Sequence, residues 1–379
     1  MSGQNPAIRD SDYDSVVADR RGGWRELAVP VRGALTGGWV SGVPPEASAC
    51  HARWWQFETW LRSLTYVELR AKFGSAWLNQ IPPRAVTYAK NEARLAYMTS
   101  ADSELLLSYL EVSDLFELIG QQWEILGPSL IDQQVWQGRL RELRQIRHRN
   151  SHCRRPHPDD LRRLEQTLRD LESGAFRAVA AFNRRDYPDE YDENLDDPLV
   201  EKWIRRKHPT AIRLIEHAAS NYGVDFELNF SHRPWAAEYE EGTAISGREG
   251  YLWHAVFVLH NDGIDPQALW TSDTFGRASV RDSLVYLCLD SPYAIDISFS
   301  ALDNPGDIAD AIGAIFDAIL PRIRRTPRYR SLDDRRTADA ALMQQAASLD
   351  PRVQACTAWA TVEDGMKPIT LFSASSGVT

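Results

Sequence analysis

The chain has 379 residues, 43 basic against 53 acidic for a net charge of −10, with 43% hydrophobic and 25% charged residues. That balance excludes general disorder and a chain-wide polyanion-binding surface, so any contact with nucleic acid must come from a local patch. The length exceeds what one hydrophobic core usually organises, and two folded domains behind a short extension are expected.

Residues 1–50 are rich in Gly and Pro (Gly22, Gly23, Gly37, Gly38, Pro44, Pro45) and predict an irregular arm. Early acids and the lack of an apolar leader argue against secretion, and no apolar run reaches the roughly 18–20 residues of a membrane span. A cytoplasmic protein without membrane contact follows. Four scattered cysteines (50, 153, 288, 356) form no CxxC pair, which fits reduced thiols.

From His51 the period becomes helical. Trp54, Phe57, Leu61 and Leu64 repeat at spacings of three and four, and 105–126 continues the pattern with Leu106, Leu110, Leu115, Leu118 and Ile119. A further helix carries Val135, Leu140, Leu143 and Ile146 up to Pro156. Asp159 and Asp160 then supply acid for the start of a last helix through Leu164, Leu168, Leu171 and Phe182. Residues 51–184 therefore predict a bundle of four or five helices.

Eight carboxylates fall in the sixteen residues from Asp186, and 185–200 is expected as a solvated acidic linker. Beyond it, 201–379 mixes periods: a helix over 198–222, strands at 224–230, 251–260, 283–289 and 293–299, an apolar helix over 308–320, and a second hairpin from 355–362 and 369–373. The fold class expected is all-helical followed by α+β with a mainly antiparallel sheet.

The informative segment is Arg147-His148-Arg149-Asn150-Ser151-His152. It lies in a stretch, 139–163, where nine arginines face only Glu142, Asp159 and Asp160, a balance of +6. RNA brings its own nucleophile, the 2′-hydroxyl, so cleavage needs a base for its proton and a cation for the charge growing on phosphorus. His152 can serve as the base near neutral pH, and Arg147 can grip two phosphate oxygens. Asn150 and Ser151 could orient ring or phosphate, and Arg144, Arg149, Arg154 and Arg155 are candidate RNA contacts. On a straight helix, however, five residues turn through roughly 500°, which sets Arg147 and His152 roughly 140° apart and puts His148 on the face of His152. Either the helix distorts toward Pro156 or a second copy completes the site.

The Arg-(four residues)-His spacing, with a polar residue after the arginine, resembles the signature of the HEPN superfamily of helical ribonucleases. The order of Leu105–Glu111, Asp114-Leu115, Trp136, Leu140, Leu143–His152 and Asp159–Leu164 is similar to the surroundings of that signature, over about residues 51–182. The resemblance implies a metal-independent endoribonuclease leaving a 2′,3′-cyclic phosphate, with Arg147 and His152 catalytic and two copies of the motif lining one cleft of a homodimer. It also implies a role as toxin or anti-phage defence effector. Here His148 stands where Asn or Asp is commoner, so its role is auxiliary.

Other readings compete. An arginine-rich helix can be a solvated face, making this a noncatalytic nucleic-acid or protein binding module. His148 and His152, with His157 or Cys153, could bind a metal, though no glutamate lies between them as in HExxH. No Walker or dinucleotide loop occurs and no cofactor is expected, and Ser373, Ser375 and Ser376 lack a GxSxG setting. Trp54 and Trp55 could stack bases or, more in keeping with helical spacing, join the core. The partners expected are RNA, a second copy of the chain, and a regulatory protein or trigger bound by 201–379.

Overall fold

The computed structural model describes residues 43–95, 97, 105–189, 195–260, 262–324, 331–346, 349–363, 365–369 and 371–372. Of the arm expected over residues 1–50, residues 1–42 lie outside them, and from Pro45 the chain is helical rather than irregular. Helix α1 spans Pro45–Phe73, starting earlier than the periodicity from His51 predicts. After it come α2 (Pro83–Glu92), α3 (Val112–Gln121), the single turn α4 (Trp123–Leu126), α5 (Gln133–Ser151) and α6 (Asp160–Asn183). The one helix expected over 105–126 is interrupted: a 3₁₀ turn covers Leu106–Tyr109, and Gln122 (φ −106°, ψ 31°) separates α3 from α4.

The helix expected over 198–222 is likewise two pieces, a π-helical turn Val200–Ile204 and α7 (Ala211–Tyr222). Arg206 takes a positive φ of 57° and Pro209 restricts the residue before it, so the helix cannot run through. Gly223, left-handed at φ 61°, ends α7 and turns the chain into a strand. The strands are β1 (Val224–His232), β2 (Tyr251–Leu259), β3 (Gly263–Ile264), β4 (Leu284–Ser291), β5 (Ala294–Ser300), β6 (Ile323–Arg324) and β7 (Val353–Ala355). Between and after them lie α8 (Pro266–Trp270), α9 (Asp273–Gly276), α10 (Ala278–Arg281), α11 (Pro305–Ile319), α12 (Leu332–Ala346) and α13 (Ala358–Thr361). Asn304 caps α11 by accepting from the amides of Gly306 and Asp307 at 2.7 and 3.2 Å, with Pro305 in the first turn.

The main sheet has the order β1-β2-β5-β4-β7, and its pairs are antiparallel except β4 with β7. The second hairpin predicted over 355–373 is not formed: β7 is a parallel edge strand, and Ala358–Thr361 is helical. Its short apolar run reads equally well as edge strand or helix turn, and the period could not decide. The class is thus mixed α and β with a mostly antiparallel sheet.

Contacts divide the chain into two units, residues 1–56 with 141–166, and residues 57–140 with 167–379. In the second unit the sheet's alternation gives two different buried faces. Leu228, Phe230, Trp253, Ala255, Phe257, Ile295, Ile297 and Phe299 form an apolar cluster with Leu214 and Ala218 of α7 and Ile308, Ile312 and Phe316 of α11. Phe257 and Phe316 meet with ring centroids 4.9 Å apart.

The opposite face is buried yet polar, carrying Asn229, Ser231, His254 and Ser298. Ser231 Oγ lies 2.8 Å from His254 Nε2, and Phe182 of α6 sets its edge against the imidazole at 5.2 Å. Burial, reinforced by the charge of Arg185, pulls His254 down to about 4, so the ring is neutral at pH 7. Over this side lie two ion pairs from α1. Glu68 receives Arg233 through both carboxylate oxygens (2.6–3.1 Å) and the Trp235 indole at 2.7 Å, and Arg233 also donates to Ala178 O at 3.0 Å. Arg70 pairs with Asp303 at 2.7 Å and donates to Ser283 O at 2.8 Å. Asp197, expected in a solvated acidic run, is also buried; it accepts from the amides of Leu199, Ile245 and Ser246 at 2.7–2.9 Å.

Glu68 and Arg233 are both fully buried, so Glu68→Gln should leave an uncompensated guanidinium in the interior and cost on the order of 3–5 kcal/mol, read as a shift in the urea midpoint. A second expectation concerns pH. Between pH 6.5 and about 4 the unfolded chain binds a proton at His254 that the folded chain refuses, so stability rises with pH through that window. Melting temperatures from pH 7 to 4 should fall accordingly, and His254→Gln should flatten the slope.

Candidate functional site

Arg147–Ser151 form the last turn of α5, with His152 directly after it, within the first unit. Leu143 and Ile146 are buried at the spacing of one helix face, which turns Arg144 and His148 outward. The helix does not unwind before the motif ends: the amide of His152 donates to His148 O at 3.3 Å, one α-helical step back. It then closes with the amide of Arg154 on Arg149 O at 2.9 Å and that of Cys153 on Asn150 O at 3.2 Å. Cys153 sits at φ 51°, so this is a Schellman closure with cysteine in the left-handed position usually held by glycine.

The undistorted helix decides which motif residues meet. His148 and His152, one turn apart, have ring centroids 4.5 Å apart at 64°. Arg147 leaves the helix roughly 140° around the axis from His152, so the backbone presents the two expected catalytic residues to different faces of α5. His148 is fully exposed; residual desolvation and the neighbouring charges of His152, Arg154 and Arg147 all lower its pKa. Asn150 faces His51 of α1, with Nδ2 3.4 Å from Nδ1.

The arginines divide by role. Arg149, an expected RNA contact, instead clamps Asp160 with Nε at 2.8 Å and Nη2 on the second oxygen. Asp160 also accepts the amide of His157 at 2.9 Å, so the acid expected to start α6 ties the loop between the helices. Burial pushes its carboxyl up, but Arg149 and the His157 amide outweigh it and hold Asp160 below the usual range. Arg163 pairs with Glu142 at 2.6 Å, and Arg53 with Glu165 at 2.6 Å. Arg147, Arg154 and Arg155 have no carboxylate partner among the described residues, while Arg144 and Ser151 are exposed. His157 is an exposed loop residue.

Two sequence readings are refined by exposure. Trp54 is core at 6%, whereas Trp55 is 66% exposed. His51 was not singled out by sequence reasoning, since nothing in the spacing announces that α1 brings it to the motif. Among the described residues, no group of three or more His, Cys, Asp or Glu side chains is disposed to hold a metal ion. Nor is any helix long and apolar enough to cross a membrane among those residues. No protein-family model matches the chain significantly, and no curated protein or solved structure does so either.

Asp160 is nearly fully buried and its carboxylate form is favoured by folding. Its contribution is present above the unfolded carboxylate range near 3.8 and is lost as pH falls through the lower folded value. Asp160→Asn should therefore cost on the order of 1–3 kcal/mol at pH 7 and have a smaller effect below pH 3, measured by denaturation at both pH values.

Proposed function

We propose that this protein is a metal-independent endoribonuclease of the HEPN type, with residues 51–184 as its helical domain, acting as a homodimer. His152 takes the proton of the RNA 2′-hydroxyl, the freed oxygen attacks phosphorus, and the 5′-oxygen departs, leaving a 2′,3′-cyclic phosphate. Arg147 steadies the charge on the phosphorane. Two copies of His152 in one cleft would supply a neutral base and a protonated acid for the departing oxygen.

One observation supports this reading above the others. Two imidazoles sit 4.5 Å apart at an exposed helix end, amid arginines of which Arg147, Arg154 and Arg155 are not neutralised by any described carboxylate. His148, Asn150 and Ser151 are auxiliary in this account, and Arg144, Arg154 and Arg155 carry the RNA backbone. The roughly 140° between Arg147 and His152 on one α5 is what makes a second copy part of the proposal. An uncontrolled ribonuclease would kill its host, so the reading extends to a toxin or anti-phage effector in abortive infection, restrained by residues 201–379 or a partner they bind.

That same angular separation also favours a second reading, a noncatalytic RNA or protein binding module. The two are separated by incubating the wild type, Arg147→Ala and His152→Ala with total RNA in EDTA. Wild-type cleavage to cyclic-phosphate ends, reduced at least about 100-fold in both variants, is expected. RNA retention without cleavage selects the binding module, and cleavage abolished by EDTA overturns the metal-free mechanism.

A further inference from the structure

A second constellation lies in the α+β part of the second unit, where residues between the π-helical turn and α7 meet α11. Thr210 Oγ1 is 2.8 Å from His208 Nδ1, and His208 Nε2 is 3.2 Å from Asp310 Oδ1. The backbone amide of Thr210 also lies 3.3 Å from Nδ1. An amide can only donate, so Nδ1 is the accepting nitrogen and the proton of the neutral ring sits on Nε2, aimed at Asp310. The imidazole stacks on the Trp203 indole at 5.2 Å and 19°, and that indole is anchored by its own bond to Ala309 O at 3.1 Å. Ring position and tautomer are therefore both set.

The plain alternative is a helix cap. Thr210 occupies the N-cap of α7, where a threonine oxygen ordinarily accepts from the first-turn amides. Here the side chain makes no capping bond. Its hydroxyl is turned to the imidazole instead, which leaves the oxygen's lone pairs uncommitted beside the first turn of a twelve-residue helix. All three polar groups line one open cavity of about 300 Å³ together with Arg277, Thr274 and Asp317. Gly313 forms its floor, with no side chain over the hydroxyl.

We infer that Thr210, His208 and Asp310 form a nucleophilic acyl-transfer site for small carboxylic esters, distinct from the α5 motif. Thr210 Oγ1 attacks the ester carbonyl while His208 Nδ1 takes its proton. The C–O bond to the alcohol breaks, and the alcohol leaves with that proton. Water, deprotonated by the same nitrogen, then hydrolyses the acyl-threonine and regenerates the hydroxyl. Asp310 holds the ring and steadies the imidazolium, and Arg277 supplies the cavity's cation for the carbonyl oxygen.

The test uses the full chain with p-nitrophenyl acetate. A burst of about one p-nitrophenol per chain is expected, with an acetyl mass gain on the peptide holding Thr210. Thr210→Val and His208→Gln should abolish it, lowering the rate at least about 100-fold. Thr210→Ser should retain it, which separates chemistry from damage to the fold. Arg147→Ala and His152→Ala should leave it unchanged. No burst, acetylation elsewhere, or an equal rate in folded Thr210→Val would overturn the assignment and return Thr210 and His208 to a structural role.

Discussion

A buried ion pair sets the terms for much of the second unit. Glu68 and Arg233 are both removed from water, and desolvating two charges is repaid only where geometry and extra hydrogen bonds are good. The neighbourhood is built to meet that demand: Trp235 and Ala178 O add bonds to the two ions. The loop after β1 is drawn in with them, since Gly250 N donates to Ala71 O and Arg233 N to Gly250 O, both at 2.8 Å. Gly250 holds φ 84°, and a Cβ there would come within 2.4 Å of the Ala236 methyl, so only glycine fits. Polar residues on the inward face of β1, β2 and β5 are tolerated because this side of the sheet is organised by hydrogen bonds, while the other side is organised by apolar packing.

Within the first unit, a cationic surface is divided by which charges are already matched. Arg149 and Asp160 form a forked pair across the α5–α6 connection, and its removal from the pool of free cations is a matter of one carboxylate's position. Arg147, Arg154 and Arg155 are left with the protein's local positive field, which also lowers the pKa of His148.

Much of this was legible in the sequence where periodicity was long and unbroken. The spans of α5, α6 and α11 and the β4–β5 hairpin follow from spacing and from turn and cap residues such as Asn304-Pro305. The breaks at Gln122 and Arg206 were not, because a local change in φ leaves the spacing of apolar residues on either side intact. Periodicity also states that a face is buried without stating against what, and so Arg233 finding Glu68, or Asp197 finding Ile245, is a tertiary fact. The motif at 147–152 was visible by composition, yet composition could not separate Arg149 from its neighbours. The pairing Thr210–His208–Asp310 was hidden for a similar reason, with about a hundred residues between His208 and Asp310.

The closure of α5 carries a mechanistic consequence. A Schellman turn with a non-glycine residue at φ 51° has a steric cost, and chains keep such residues where the surroundings fix them. The helix is regular to Ser151 and the amide of His152 still bonds one α-helical step back, so the backbone directions of Arg147 and His152 follow helix geometry. In the proposed ribonuclease, two helices facing each other would set Arg147 of one copy beside His152 of the other. Under that proposal dimer formation and cleavage would rise and fall together, and any element that parted two copies of α5 would act as a switch.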